Sequence, residues 1–445
     1  MMLARDHQIT TTHQRHFRRV CRHKAPTILQ ADGGHALAGW QYRGMAIFIN
    51  ILLVLLALAL IGLAIWGIVR YRYVKSLKAL GWEFDSNPPI DVANGLNVPP
   101  FGIGFGRSVD DAIHGASRDQ ATPFVAFKYR CTNWRSAGYV VRMPLPAPYL
   151  PGEVTGPACS ADLPLAPAPV QYGAATATAP DPRVAQAYGA ALAPQLQGPW
   201  RLSIDHQDLV LIDAPKKAEE LAAVVEVMAQ ARGALLALPH EQFAGPPPPP
   251  GLSVYGHDDW TYLPRDDSYL QQIGHTTGGS NHKAKDIIYG TAANISFLRL
   301  THTWETTYTT TDGQGNTQTH TEHHEEMLCE FRPGFPFMDL SANWGFFGKK
   351  QKFEWDEFNR QFKIRSANPR FASDVIHQRQ MEYLMASGPV SFNISEGRIL
   401  IGGDNDWWPQ NIEAVLSFLV GFFGRVPDFV WQNLGAWPRP VPEVR

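Results

Sequence analysis

One run dominates the hydropathy pattern: residues 47–69 are apolar apart from Asn50. A helix of about 23 residues, rising 1.5 Å per residue, covers a hydrocarbon core of roughly 30 Å, so the run predicts a membrane-spanning helix. It is too long for the apolar core of a signal peptide and lacks an evident small-residue cleavage site before the charges that follow, which marks it as a permanent anchor. Beyond it the pattern alternates between periods of 2 and 3.6. Residues 184–196 predict a helix, 200–204 and 209–212 the strands of a hairpin, and 218–238 a closing helix; the same succession returns at 371–386, 390–394, 398–401 and 410–423. This mixture predicts an α+β fold class.

The recurrence reaches individual residues. Asp181-Pro182-Arg183-Val184-Ala185 reappears as Asn368-Pro369-Arg370-Phe371-Ala372, and Trp82 and Trp260 each open a stretch. Asp111-Ala112-Ile113-His114-Gly115 matches Asp286-Ile287-Ile288-Tyr289-Gly290, with apolar runs following from Phe124 and Phe297. Met143 to Pro148 aligns with Phe331 to Pro336, and Ile204 with Ile394. The offsets are 260−82=178, 297−124=173, 336−148=188 and 394−204=190, so 188−173=15 extra residues enter the second stretch between Phe297 and Pro336. A hairpin extension there costs little loop-closure entropy. The matches predict an internal duplication, two tandem α+β domains behind one transmembrane helix. Coincident turn chemistry in a Pro- and Gly-rich chain is the alternative.

The expected organisation is a basic leader over residues 1–44, the anchor over 45–72, copy one over 80–240, a proline-rich linker over 241–254, copy two over 255–436 and a tail over 437–445. Prolines 246–250 predict a stiff polyproline spacer, about 3.1 Å per residue, that holds the domains apart. The Ala- and Pro-rich residues 157–180 predict a loose loop inside copy one. The leader is His- and Arg-rich without apolar period and is expected to be disordered, with a start at Met45 as the alternative; the intact mass of the native product distinguishes the two.

Composition narrows the classes. With 445 residues, 44% of them apolar, the chain can hold two ordinary domains, and a net charge of −2 gives no bulk attraction to nucleic acid. Cys21, Cys131, Cys159 and Cys329 have neither CxxC spacing nor matching places in the two copies, against a disulfide framework or zinc knuckle and in keeping with a reducing compartment. Arg70, Arg72, Lys75 and Lys78 crowd the C-terminal flank of the anchor, with only Arg43 close on the other side, so the positive-inside rule puts the C-terminal domains in the cytoplasm at the cell membrane. The remote cluster Arg15, Arg18, Arg19, Arg22 and Lys24 opposes that orientation.

Two segments carry candidate function. Thr, His, Trp, Tyr and Glu alternate on both sides of Asp312-Gly313-Gln314-Gly315-Asn316, which predicts a long hairpin. If Thr311 pairs with Thr317, one face carries His302, Trp304, Thr306, Tyr308, His320, Glu322, His324 and Glu326, and His302, His324 and Glu326 become candidate ligands for zinc or another transition metal. A recognition or purely structural hairpin is the competing expectation, and no other cofactor is implied. The closing helix of copy two is apolar nearly all round, because aligning Ile204 with Ile394 replaces Glu226 by Leu416 and Arg232 by Phe422. Leu416, Phe418, Phe422 and Phe423 form a candidate interaction face for a protein partner or self-association; cover by residues 426–437 or by copy one is the alternative. A charge at Phe418 or Phe422 is expected to disrupt self-association if the face is an interface.

Other motifs are weaker. Gly102-Ile103-Gly104-Phe105-Gly106 lacks the strand and the lysine of a nucleotide loop and predicts a turn. Asp404-Asn405-Asp406 and its counterpart Asp213-Ala214-Pro215 precede helices and predict caps rather than cation ligands. Asn294-Ile295-Ser296 and Asn393-Ile394-Ser395 match the glycosylation pattern within apparent strands. No serine elbow or triad is legible, and no catalytic residue is assigned.

The anchor followed by paired, Trp-started α+β copies, with Pro-rich loops and the Asp/Asn-Pro-Arg-x-Ala helix entry, resembles membrane-anchored proteins of actinobacterial-type, high-GC genomes. The likeness covers residues 45–434 and implies no transferable activity. The expected function is a single-pass, membrane-anchored binding or assembly platform, non-catalytic, with the membrane and a protein (or a second copy) as partners. The alternative is a membrane-anchored enzyme, metal-dependent through the hairpin; polar pockets with clustered Asp, His or Glu in both copies would favour it.

Overall fold

The computed structural model describes residues 34–132, 134–157, 170–196, 198–274, 277–345, 349–403 and 406–444, with side chains from residue 51 onward and without that of Tyr172. Residues 1–33 of the expected leader, Cys21 among them, lie outside the described residues, as do residues 158–169 of the expected 157–180 loop with Cys159; the remainder of that loop is not loose, since Val170–Tyr172 and Ala175–Thr178 pair as strands of the first sheet. The chain divides into two compact units, Met1–Tyr71 and Arg72–Arg445.

Helix α1 (Gly34–Ala79) begins inside the expected leader, so residue 44 is not a structural boundary. Within it Ile51–Ala79 has a mean hydropathy of 2.9 in its most apolar window, of which 0% is buried, and is long and apolar enough to cross a membrane. Leu53, Leu63 and Trp66 are more than half exposed, as a lipid-facing helix requires.

The second unit holds two antiparallel sheets. The first contains β1 (Glu83–Asp85), β2 (Ser108–Ala116), β3 (Pro123–Cys131), β4 (Trp134–Arg135), β5 (Tyr139–Pro144), β6 (Gly152–Thr155), β7 (Val170–Tyr172), β8 (Ala175–Thr178), β9 (Arg201–Asp205) and β10 (Asp208–Ala214). The second contains β11 (Ser253–Val254), β12 (His257–Arg265), β13 (Ser280–Ala292), β14 (Ile295–Thr311), β15 (Thr317–Pro333), β16 (Leu340–Ala342), β17 (Lys349–Lys350), β18 (Ile364–Ser366), β19 (Phe392–Ser395) and β20 (Arg398–Ile401). Their orders are β1-β2-β3-β5-β10-β9-β6-β8-β7, with β4 beside β3, and β11-β12-β13-β14-β15-β20-β19-β16-β18-β17. Renumbered from one within each sheet, and leaving out β4 and β11, both orders become 1-2-3-4-9-8-5-7-6.

Local features recur at matching places. Asp111 and Asp286 both sit at positive φ, 45° and 49°, as do His206 and Glu396, 53° and 51°. Trp82 meets Phe124 edge-on at 4.9 Å and Trp260 meets Phe297 at 4.6 Å. Each indole lies against a glycine, Gly115 or Gly290, where a Cβ would collide with the ring. Helix α2 (Pro182–Leu192) opens on Asp181, whose side chain accepts from Arg183 N, with Pro182 in the first turn. Helix α3 (Ala218–Leu236) closes the first half, followed by α4 (His240–Phe243). The second half has α5 (Tyr269–Ile273), α6 (Asp356–Gln361), α7 (Pro369–Val375), α8 (Gln378–Ser387), α9 (Pro409–Gly424) and α10 (Asp428–Asn433). Asn368 caps α7 by accepting from Phe371 N at 3.1 Å, again with proline next.

Several expectations change. The single helix expected over 371–386 breaks into α7 and α8 at Ile376 and His377. There His377 Nε2 reaches Arg425 O at 3.0 Å and Gln380 donates to Phe422 O, tertiary bonds that outweigh helical continuity. Asp213 caps nothing: at φ 61° its carboxylate accepts from Ala137 N (2.6 Å) and Gly138 N, and Lys217 is the N-cap of α3. Asp404 and Asn405 lie outside the described residues. Asn294 occupies the turn between β13 and β14 rather than a strand, while Asn393 is in β19.

The proline segment does not hold two bodies apart. Gly95 N donates to Gly251 O, Gly245 N to Pro148 O and Tyr255 N to Gly102 O. One apolar cluster runs from Ala93, Phe105 and Phe127 of the first half to Trp260, Phe331 and Trp431 of the second, with the Phe105 and Trp408 rings 4.6 Å apart. The Gly102–Gly106 segment is a turn, all three glycines at positive φ, and it wraps Arg107. Arg107 is 3% exposed; its guanidinium donates to Ser253 O (2.6 Å), Gly102 O (2.8 Å) and Gly104 O (3.1 Å) and lies 3.9 Å from the Tyr262 ring. Burying a cation is costly unless its donors are satisfied, and the bond to Ser253 O, with the Tyr262 ring, ties that satisfaction to the other half.

Candidate interaction site

The hairpin β14–β15 follows the expected register, with Thr311 opposite Thr317, and continues through 17 rows to Ile295 opposite Pro333 without a slip. Its turn is closed by Asp312, whose Oδ1 accepts from Gln314 N and Asn316 N at 2.9 Å each. The Asn316 side chain, then the turn N–H groups, hold the Asp312 carboxyl below its ordinary range. Near the body the strands are covered; from Thr307 to Thr311 and over Thr317 to Thr319 they are exposed.

On the expected face the rings form a ladder. His302 stacks on Trp304 with centroids 4.7 Å apart, Trp304 on His324 at 5.1 Å, and Tyr308 on His320 at 5.3 Å. Thr306 Oγ1 and His324 Nε2 are 2.7 Å apart, Thr310 Oγ1 and His320 Nε2 2.9 Å. Glu322 beside Tyr308, by its charge and then a hydrogen bond, pushes the phenol above its ordinary range. His302 stands opposite Glu326, and His282 Nδ1 lies 3.0 Å from His302 Nε2. His324 is one facing pair further out, and the Trp304 indole lies against both imidazoles. Among the described residues no three His, Cys, Asp or Glu side chains come together as metal ligands.

The ladder leaves a backbone edge. Asp312 N donates to Asn316 O and Gly334 N to Asn294 O, so even-numbered rows exchange the internal hydrogen bonds. The N–H and C=O groups of Thr317, Thr319, Thr321, His323, Glu325 and Met327 therefore point away from β14. Across that edge β20 pairs with β15 at Phe331 alone.

The closing helix α9 is spoken for by the fold. Leu416, Phe422 and Phe423 are at most 4% exposed and Phe418 is half-buried. Phe423 packs edge-on against Phe335 and Phe337 at 5.0 Å, Trp431 of α10 packs on Phe335, and Phe422 on Phe392. Tyr383 of α8 donates to Phe418 O at 2.9 Å and presses on Gly421, where a Cβ would collide with it. The covered arrangement, with the tail as part of the cover, is what the structure has. A cleft of about 540 Å³ remains beside the helix, lined by Trp260, Tyr383, Glu413, Leu416, Val420 and Arg425 among others.

A further cluster gathers at the turn Asp205-His206-Gln207-Asp208 between β9 and β10. His206 Nδ1 is 2.8 Å from Asp205 Oδ1 and Nε2 is 3.4 Å from Asp258 Oδ2 in the other half. Asp205 Oδ2 accepts from Asn97 N and Val98 N at 2.8 Å each, and Asn97 Nδ2 donates to Asp258. Burial presses the His206 pKa down, but the hydrogen bond and charge of Asp205, joined by Asp258, outweigh it, and the net shift is upward from 6.5. The contacts of His206 and Asn97 with Asp258 cross between halves, which makes the cluster a clasp. Only its long sequence separation, 258−206=52 residues, hid it.

No family model, curated protein or solved structure matches the chain.

Proposed function

We propose that the chain is a duplicated α+β unit fused into one body and carried by a single transmembrane helix as a non-catalytic assembly platform at the cell membrane, the body lying on the cytoplasmic side. The common strand order and the repeated Trp-on-Gly contacts support duplication. The four cations that follow the apolar run support the orientation.

The observation that carries the platform is where the halves differ most. The corresponding pair β3–β5 has three rows, Val125–Phe127 against Val140–Arg142, whereas β14–β15 has 17. The extension buries few apolar side chains, so it adds little to the core; a long, polar, aromatic-laddered arm is suited to recognition. Chemical crosslinking and pull-down of the full chain from native membranes tests this. A reproducible protein partner, or the chain itself, crosslinked through residues 303–325 is expected; recovery of none in the membrane fraction overturns the platform.

A further inference from the structure

We propose that the outer edge of β15 pairs antiparallel with the same edge of a second copy of this chain, about a two-fold axis at His323. This deepens the platform proposal by naming its partner, and rests on it for the high local concentration that anchoring supplies.

The open edge runs from Thr317 to Met327, and His323 is an odd-numbered position within it at which a two-fold axis can sit. Outward backbone groups belong to odd residues, and pairing about 323 matches odd with odd, so the N–H and C=O groups of Thr321 meet those of Glu325 in the second copy, and those of His323 meet their own equivalents. The side chains agree with this register. His320 falls opposite Glu326 and Glu322 opposite His324, on the face that alternates His and Glu, while Thr321 falls opposite Glu325 on the other. No glutamate faces a glutamate. Moving the axis to Glu325 sets that carboxylate against itself, and moving it to Thr321 places His320 opposite Glu322 but leaves His324 and Glu326 without a His–Glu match. Exposed edges normally carry charges that repel a second copy; here the alternation makes the edge complementary to itself under the two-fold.

Directly opposed residues in such a pair have Cα atoms about 5.5 Å apart, within disulfide reach. Full-length His323→Cys, oxidised in native membranes, is expected to run at twice the chain mass on a non-reducing gel well above the level of the parent chain, whose own four cysteines set the baseline. Thr321→Cys alone is expected to stay at that baseline, its equivalent being roughly 13 Å away at about 3.4 Å per residue, and Thr321→Cys combined with Glu325→Cys to crosslink. Adding Thr321→Pro to His323→Cys removes an outward N–H that the internal ladder does not use, and is expected to abolish the band. No excess band for His323→Cys, or equal bands for His323→Cys and Thr321→Cys, overturns the pairing. A foreign protein recovered through the hairpin with His323→Cys silent leaves the platform standing and removes this inference; a chain absent from membranes removes the platform, and the same disulfide series on that soluble chain still decides the pairing.

Discussion

His206 shows how a single side chain ties the halves to pH. Its folded pKa is raised above 6.5 by Asp205 and Asp258 against the pull of burial. A raised histidine contributes stability that is fully present below its unfolded pKa and is lost as pH rises through its folded pKa. Thermal unfolding of the full chain in detergent should therefore show the advantage of the parent over His206→Asn shrinking as pH increases from 5.5 to 8.5; asparagine tolerates the positive φ at this position, which keeps the comparison clean. An advantage that grows with pH would contradict the clasp. Gly115 and Gly290 make a matched pair: alanine at either drives a methyl into an indole, Trp82 or Trp260, and overpacking of this kind costs about 1–3 kcal/mol. Denaturant midpoints for Gly115→Ala and Gly290→Ala should fall together, whereas a neutral effect at one of them would count against equivalent units.

At the level of elements, α9 is a core helix. Phe423→Ala should destabilise by about 3–5 kcal/mol, as a buried aromatic does when its cavity cannot collapse, with less effect for half-buried Phe418→Ala. Chemical unfolding with size measured alongside checks this; a folded Phe423→Ala variant of unchanged midpoint and altered size would instead mark the face as an interface. The apolar pattern of α9 is legible in the chain, as is cover by the tail, which supplies Trp431; the contributions of Tyr383 and Phe335 are not, because they reach the helix from separate segments. The hairpin was the most legible element: alternation and the Asp312–Asn316 turn fixed both strands and register, since a period of two leaves no freedom once the turn is set. What alternation cannot convey is how rings settle along the ladder, and the Trp304 indole against His302 and His324 is a packing outcome. α7 and α8 were merged for a similar reason, the bonds to Arg425 and Phe422 being invisible locally. Helix α3 and β20, with strong local patterns, fall close to expectation.

For the whole molecule, the Trp-led recurrence was visible as sequence, and both sheets have the same order, yet the proline segment misled. Stiffness was read as separation, when Gly95, Gly245 and the buried Arg107 bond the segment and its neighbours into a shared core. Composition alone cannot show that, because burial of Arg107 depends on carbonyls up to 146 residues away. The same core implies one cooperative unfolding transition for residues 72–445 rather than two, which calorimetry of the full chain can read.

The most direct test of the account is crosslinking of the full chain in native membranes, with the membranes first washed at high pH. The account expects the chain to stay in the pellet and to carry crosslinks from residues 303–325 to a protein partner or a second copy. A chain released by the wash, or retained without any reproducible crosslinked protein, would contradict it.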